Sequence, residues 1–153
     1  MDHEAFPDAR RTRSMDVCRF CQIIDGERDA HVLLESDRAV AFLDRNPIAK
    51  GHTLLVPTEH VEGIDTMDEG SITELFTMAG TVTHALRSVL DADGFSMFHT
   101  TGPLIGTIDH AHVHLVPRYQ DDNIHIALPR DELDRDRDES LAEDLIAALD
   151  QLD

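Results

Sequence analysis

His110-Ala111-His112-Val113-His114-Leu115-Val116 alternates imidazole and aliphatic side chains and then meets Pro117 and Arg118. A β-strand turns successive side chains to opposite faces, so His110, His112 and His114 share one face while Ala111, Val113 and Leu115 share the other. The aliphatic face asks for a core. The imidazole face packs poorly, because a neutral ring needs a hydrogen-bond partner at each nitrogen. Beyond a partly exposed polar strand, two chemistries use such a face: metal ligation by His-x-His and phosphorus chemistry by an imidazole nucleophile. A zinc hydrolase built on all three rings would also want a carboxylate base. Asp109 is the sole acid beside them, and the alternation turns it the other way.

On either side of this strand the pattern continues. Residues 31–35 and 39–44, parted by Ser36-Asp37, read as paired strands; residues 52–56, stopped by Pro57, and 95–99 read as two more. Residues 110–116 make the fifth, stopped by Pro117. Residues 18–24 form a short helical turn closed by Asp25-Gly26. Ser71-x-x-Glu74 is a capping box, followed by Leu75, Met78, Ala79, Val82, Leu86, Val89 and Leu90 at helical spacing, with Gly94 placed to end the helix. After the charged stretch 131–138, Leu141, Leu145, Ile146, Leu149 and Leu152 make one apolar stripe on an acidic helix. The order predicts an α+β fold, with an antiparallel sheet of about five strands, one long helix and a C-terminal helix. Residues 1–14, which carry Arg10, Arg11 and Arg13 just ahead of Met15, are expected to be a flexible extension to a single domain spanning 15–153.

Length and charge bound the function. The 153 residues fit one domain, and 41% hydrophobic residues suffice for a core. The net charge is −18, carried mostly by Asp, and Lys50 is the lone lysine. That balance excludes a general nucleic-acid binder, which needs a basic face. An Asp-rich, nearly Lys-free surface fits a halophile's protein, since concentrated salt screens self-repulsion. With no apolar run of about 20 residues and no signal-peptide core, the expectation is a cytoplasmic protein without a membrane partner. Cys18 and Cys21, spaced Cys-x-x-Cys, suggest metal or redox use in that compartment, although one pair supplies only half of a tetrahedral site.

His110-Ala111-His112-Val113-His114-Leu115-Val116 resembles the signature of the histidine-triad (HIT) family, His-φ-His-φ-His-φ-φ with φ apolar. Cys18-Arg19-Phe20-Cys21-Gln22-Ile23-Ile24 resembles the family's opening. Ala41-Phe42-Leu43-Asp44-Arg45-Asn46-Pro47, Gly51-His52-Thr53-Leu54-Leu55-Val56-Pro57 and His60 resemble its middle. The match runs in order from Cys18 to Arg118.

The resemblance implies a nucleotide hydrolase or transferase that works at the α-phosphorus of nucleoside phosphoramidates or dinucleoside polyphosphates. His112 would be the nucleophile and pass through a nucleotidyl-histidine intermediate. Its far N–H would be held by a main-chain carbonyl within the triad, expected at His114. His114 and His110 would meet phosphate oxygens or the leaving group, with His52 as the family's fourth histidine. Asp44 would accept from ribose hydroxyls, a turn or cap role being the rival, and Phe20, Ile23, Phe42 and Arg45 would surround the base and sugar of a purine nucleotide. Where many members carry a phosphate-contacting Asn or Gln, this chain has His99, and Thr107 stands in the loop before the triad as a further phosphate or leaving-group contact. Some members hold a structural zinc through positions that here are Cys18, Cys21, His60 and His110; catalysis itself would require no cofactor. A homodimer is also implied, with residues 71–90 and neighbouring strands at the contact. The readings that compete are a zinc-dependent hydrolase with the triad as ligands and a nucleotide-binding protein with little turnover.

Overall fold

The computed structural model describes residues 18–102, 108–127, 129–130, 132 and 134–152. The expectations for residues 1–14 and for Thr107 fall outside them. The chain divides into two compact units, Met1–Asn123 and Ile124–Asp153.

In the first unit a short helix α1 (Arg19–Ile24) precedes strands β1 (Val32–Glu35), β2 (Ala39–Leu43) and β3 (Thr53–Pro57). A 3-10 turn (Ile64–Thr66), the long helix α2 (Glu69–Val89), and strands β4 (Gly94–Phe98) and β5 (Val113–Arg118) follow. The five strands form one antiparallel sheet, as the sequence predicts, and its order is β1-β2-β3-β5-β4.

The central strands are covered on both faces, which is why Ala39-Val40-Ala41-Phe42 and Leu54-Leu55-Val56 are unbroken apolar runs. One face sends Ala39, Ala41, Leu55, Val113 and Leu115 against Leu75, Met78, Ala79, Val82 and Leu86 of α2. The other sends Val40, Phe42, Leu54 and Val56 against Phe20 of α1. Strand register then fixes where the chemistry lies. Phe42 pairs with Leu54, Leu54 with His114, and His114 with Phe98, so these four side chains form one row across the second face, away from α2.

Three sequence expectations need correction. Asp68, not Ser71, caps α2: its carboxylate accepts from the Ser71 amide at 2.8 Å, so the helix begins two residues before Ser71. The helix ends at Val89, and Gly94 opens β4 instead of closing α2. Strand β5 starts at Val113 and continues through Pro117, which pairs with Phe95. β3 pairs only with Val113, His114 and Leu115, so Pro117 lies where the strand has a neighbour on one side, a position that tolerates a missing N–H.

The second unit contains α3 (Arg135–Leu149), capped by Asp134 accepting from the Arg137 amide. Its stripe of Leu141, Leu145, Ile146 and Leu149 is exposed. Among the described residues no helix is long and apolar enough to cross a membrane.

Candidate active site

Sequence alternation places the three triad rings together; the His112 and His114 rings do meet, with centroids 4.9 Å apart, whereas the His110 nitrogens are directed elsewhere. Residues 110–112 precede the first β5 residue, and the Ala111 amide donates to the Val61 carbonyl at 2.7 Å instead of entering the sheet ladder. The His110 ring is fully buried. Its Nε2–H donates to the Pro57 carbonyl at 2.8 Å, which leaves Nδ1 as a lone pair, 3.4 Å from Cys18 Sγ and 3.5 Å from Cys21 Sγ. With both nitrogens engaged there, His110 has no donor left for a phosphate or leaving group.

His112 is half-buried, and its Nδ1–H donates to a main-chain carbonyl at 2.8 Å. The acceptor is the carbonyl of His110, not that of His114 as expected. The ring folds back along its own chain because residues 110–112 are outside the ladder and the His110 carbonyl is within reach. Among the described residues no buried side-chain nitrogen or oxygen lacks a partner. A neutral ring that donates through Nδ1 keeps a lone pair on Nε2. The edge of Phe20 braces this ring, with centroids 5.1 Å apart and planes at 74°.

His114 is set by a relay. The Ile48 amide donates to His52 Nδ1 at 3.0 Å, so the neutral His52 ring carries its proton on Nε2. That N–H donates to His114 Nδ1 at 2.9 Å, which leaves the His114 proton on Nε2. The relay needs the 45–51 turn to fold back over its own end. Gly51 permits this at φ +90°, where a side chain would be strained and its Cβ would press on Leu90 and Pro117. Phe98 stacks on the His114 ring at 4.4 Å and 13°. Sequence reasoning passed over both Ile48 and Phe98; Phe98 is brought to the ring by its cross-strand pairing with His114, a register the sequence reading did not assign.

The remaining candidates divide. Asp44 serves its own turn by accepting from the Asn46 amide at 2.8 Å, yet its other oxygen lies 3.5 Å from His52 Nε2, at the site. Phe42 is buried beside Phe20, with centroids 5.6 Å apart, and Ile23 packs on the same cluster. Arg45 is exposed in the turn after Asp44. His99 follows β4 directly, with Nδ1 2.9 Å from the His112 carbonyl.

Burial keeps these rings neutral. It holds His112 and His52 below the ordinary imidazole range, Asp44 pulling the other way in both, and it presses His114 down to about 4 with help from His112 and His52. Because the folded pKa of His114 lies below that of the unfolded chain, the unfolded state binds the extra proton first. Its contribution to stability is therefore complete above pH 6.5 and disappears as pH falls through about 4. Calorimetric melting should accordingly decline between pH 6.5 and 4.5, at up to about 1.4 kcal/mol per pH unit for this one group. His114→Gln should flatten that slope; equal slopes for parent and variant would contradict the assignment.

A second cluster sits beside the first. Cys18, Cys21, His60 and His110 bring their ligand atoms within 4.8 Å of one another, with His60 Nδ1 3.2 Å from Cys21 Sγ. Zinc bound tetrahedrally by two sulfurs and two nitrogens would set them about 3.4–3.8 Å apart, close to the separations here. Burial, then the neighbouring Cys18, pushes the Cys21 thiol up to about 12, so without a cation the sulfur keeps its proton. The donor set fits zinc. The three triad rings, by contrast, do not form a cluster of this kind among the described residues, whose other such group is Asp44, His52 and His114.

Comparison with known proteins shows what the chain is similar to. A family model described as HIT domain matches residues 25–121. An uncharacterised HIT-like protein of Methanocaldococcus jannaschii is 37% identical over 69% of this chain and 82% of its own length. The adenosine 5′-monophosphoramidase of Saccharomyces cerevisiae is 29% identical over 90% of this chain and 85% of its own. A crystal structure of a zinc-bound histidine triad family protein from Mycobacterium smegmatis superposes with a TM-score of 0.68 at 27% identity, covering 91% of this chain and 99% of the other.

Proposed function

The chain belongs to the HIT domain family, and from that premise we propose that it is a nucleotide hydrolase acting at the α-phosphate of a nucleoside phosphoramidate or dinucleoside polyphosphate. The observation that carries the reading is the 2.8 Å bond from His112 Nδ1–H to the His110 carbonyl, which directs the ring's lone pair to Nε2. Neutral imidazole is a competent nucleophile near pH 7, and burial holds this one neutral.

His112 Nε2 attacks the α-phosphorus, forming a P–N bond as the bond to the leaving amine or phosphate breaks. The Nε2–H of His114, set by the Ile48–His52 relay, donates to a phosphoryl oxygen or to the departing group. Water then attacks the same phosphorus as the P–N bond breaks, releasing the nucleotide and returning the lone pair to His112; the proton the water gives up replaces the one that leaves with the departing group. Two in-line displacements leave the phosphorus configuration unchanged. Asp44 would accept from the ribose hydroxyls, while Phe42 and Ile23 would line the sugar and base side.

Zinc, when bound by Cys18, Cys21, His60 and His110, would fix the backbone from which His112 projects; the mechanism routes no step through it. A hydrolase using the triad rings as metal ligands has less support, because His110 Nδ1 is directed to the thiols and His114 Nδ1 is engaged with His52.

The test is a rapid quench of the protein with adenosine 5′-phosphoramidate or diadenosine polyphosphates, followed by peptide mass spectrometry. The expected result is turnover together with a nucleotidyl mass on the His112 peptide. Binding without turnover by the parent chain would favour the nucleotide-binding alternative.

A further inference from the structure

We infer that His99 is a positioning residue that fixes the main chain of His112 by bridging it to the 58–66 loop, instead of contacting a phosphate. Its kinetic consequences rest on the nucleophilic role proposed for His112; its structural consequences do not.

Strand pairing shows why such a bridge is needed. β4 and β5 pair as far as Phe98 and His114, and β3 meets β5 from Val113 onward. His112 therefore lies just beyond the ladder, where, among the described residues, no strand amide pairs with its carbonyl. His99, the residue after β4, fills that place: its Nδ1–H donates to the His112 carbonyl at 2.9 Å. On the other side of the same ring, Nε2 accepts from the Ile64 amide at 3.3 Å. The two bonds agree on one neutral tautomer and use both nitrogens, so no N–H remains for an anion.

The loop on the far side of the bridge is itself anchored, to α1 and to the triad segment. His60 Nδ1 lies 3.2 Å from Cys21 Sγ, and the Val61 carbonyl accepts from the Ala111 amide at 2.7 Å. A Cβ added at Gly63 would come within 2.7 Å of the Thr101 methyl, so the loop and the segment after His99 are already in close approach. His99 supplies the fastening that bears on the nucleophile's own carbonyl. A misplacement of about 1 Å at a reacting atom can cost on the order of 100-fold in rate.

Asparagine and glutamine separate the two halves of the bridge. An Asn amide reaches the position of Nδ1, and a Gln amide reaches that of Nε2. With adenosine 5′-phosphoramidate as the probe, His99→Ala should lower kcat on the order of 100-fold while KM stays within about twofold. His99→Asn, which keeps the bond to the His112 carbonyl, should return kcat to within about fivefold of the parent, and His99→Gln should not. Amide hydrogen exchange reads the other half: Ile64 should exchange faster in the Ala and Asn variants and stay protected in the Gln variant. A raised KM with kcat preserved, equal rescue by Asn and Gln, or unchanged Ile64 exchange in all variants would overturn the inference. If His99→Ala does not fold, the Asn and Gln pair decides alone. Should the parent turn over none of the probes, the proposed function fails, whereas the exchange pattern still decides the bridge.

Discussion

His112→Ala should lower turnover of a nucleoside phosphoramidate on the order of 10⁴-fold or more, because it removes the atom that forms the covalent bond. The nucleotidyl-protein mass should vanish with it. Nucleotide binding should persist, since Asp44, Phe42 and Ile23 are untouched. The fold should also survive: the ring is half-buried, and its one hydrogen bond goes to a neighbouring carbonyl.

The comparison with His114 and His52 makes this a test of roles. His114→Ala removes a donor to phosphate or leaving group, for which a loss of about 10²–10³-fold is expected. His52→Ala leaves that donor in place but frees its tautomer, since the Ile48 amide no longer dictates which His114 nitrogen carries the proton. Its loss should be smaller again. The expected ranking is thus His112, His114, His52, read from steady-state kcat/KM on purified variants. If His112→Ala kept activity within about tenfold of the parent, water would be attacking directly and the covalent route would be wrong.

Much of this site can be read from the chain, and the parts that cannot have a common cause. Alternation found β5 and put His112 and His114 on one face, and the buried runs at Ala39 and Leu54 found the two central strands. Alternation also put His110 with its neighbours, and its ring does share Phe20 with His112, but its nitrogens go to Pro57 and the thiols, which alternation does not foresee. Residues 110–112 leave the sheet geometry because the Ala111 amide bonds to Val61, fifty residues earlier in the chain. No local pattern encodes such a partner. The same holds for the capping of α2, where Asp68 and Ser71 are both good caps and only the fold distinguishes them. It holds for Ile48 too, an exposed aliphatic residue whose contribution is its main-chain N–H. Side-chain identity is written in the sequence, whereas a backbone amide that sets a tautomer is not.

Cys21→Ser is expected to carry the largest effect on stability, and the reason runs through His110. That residue joins the thiol cluster to the His112 ring: its Nδ1 faces the sulfurs, its Nε2–H ties to Pro57, and its carbonyl holds His112 Nδ1. If zinc occupies the cluster, metal analysis of the parent chain after desalting should find close to one zinc per chain, and Cys21→Ser or Cys18→Ser should retain little. A structural zinc can contribute roughly 10 kcal/mol or more where no other core exists. Here α2 and the sheet supply a core of their own, so a loss of about 3 kcal/mol, or a melting point lower by roughly 10 °C, is the reasonable expectation. Activity should follow stability and not metal chemistry: at a temperature where Cys21→Ser is still folded, its kcat should drop far less than that of His112→Ala. A parent chain that binds no zinc, melts alike with and without a strong chelator, and melts no higher than Cys21→Ser would reduce the cluster to two buried thiols beside two histidines. A chelator that stopped turnover at once, with the fold intact, would instead return the metal to the reacting phosphate and displace the imidazole from that role.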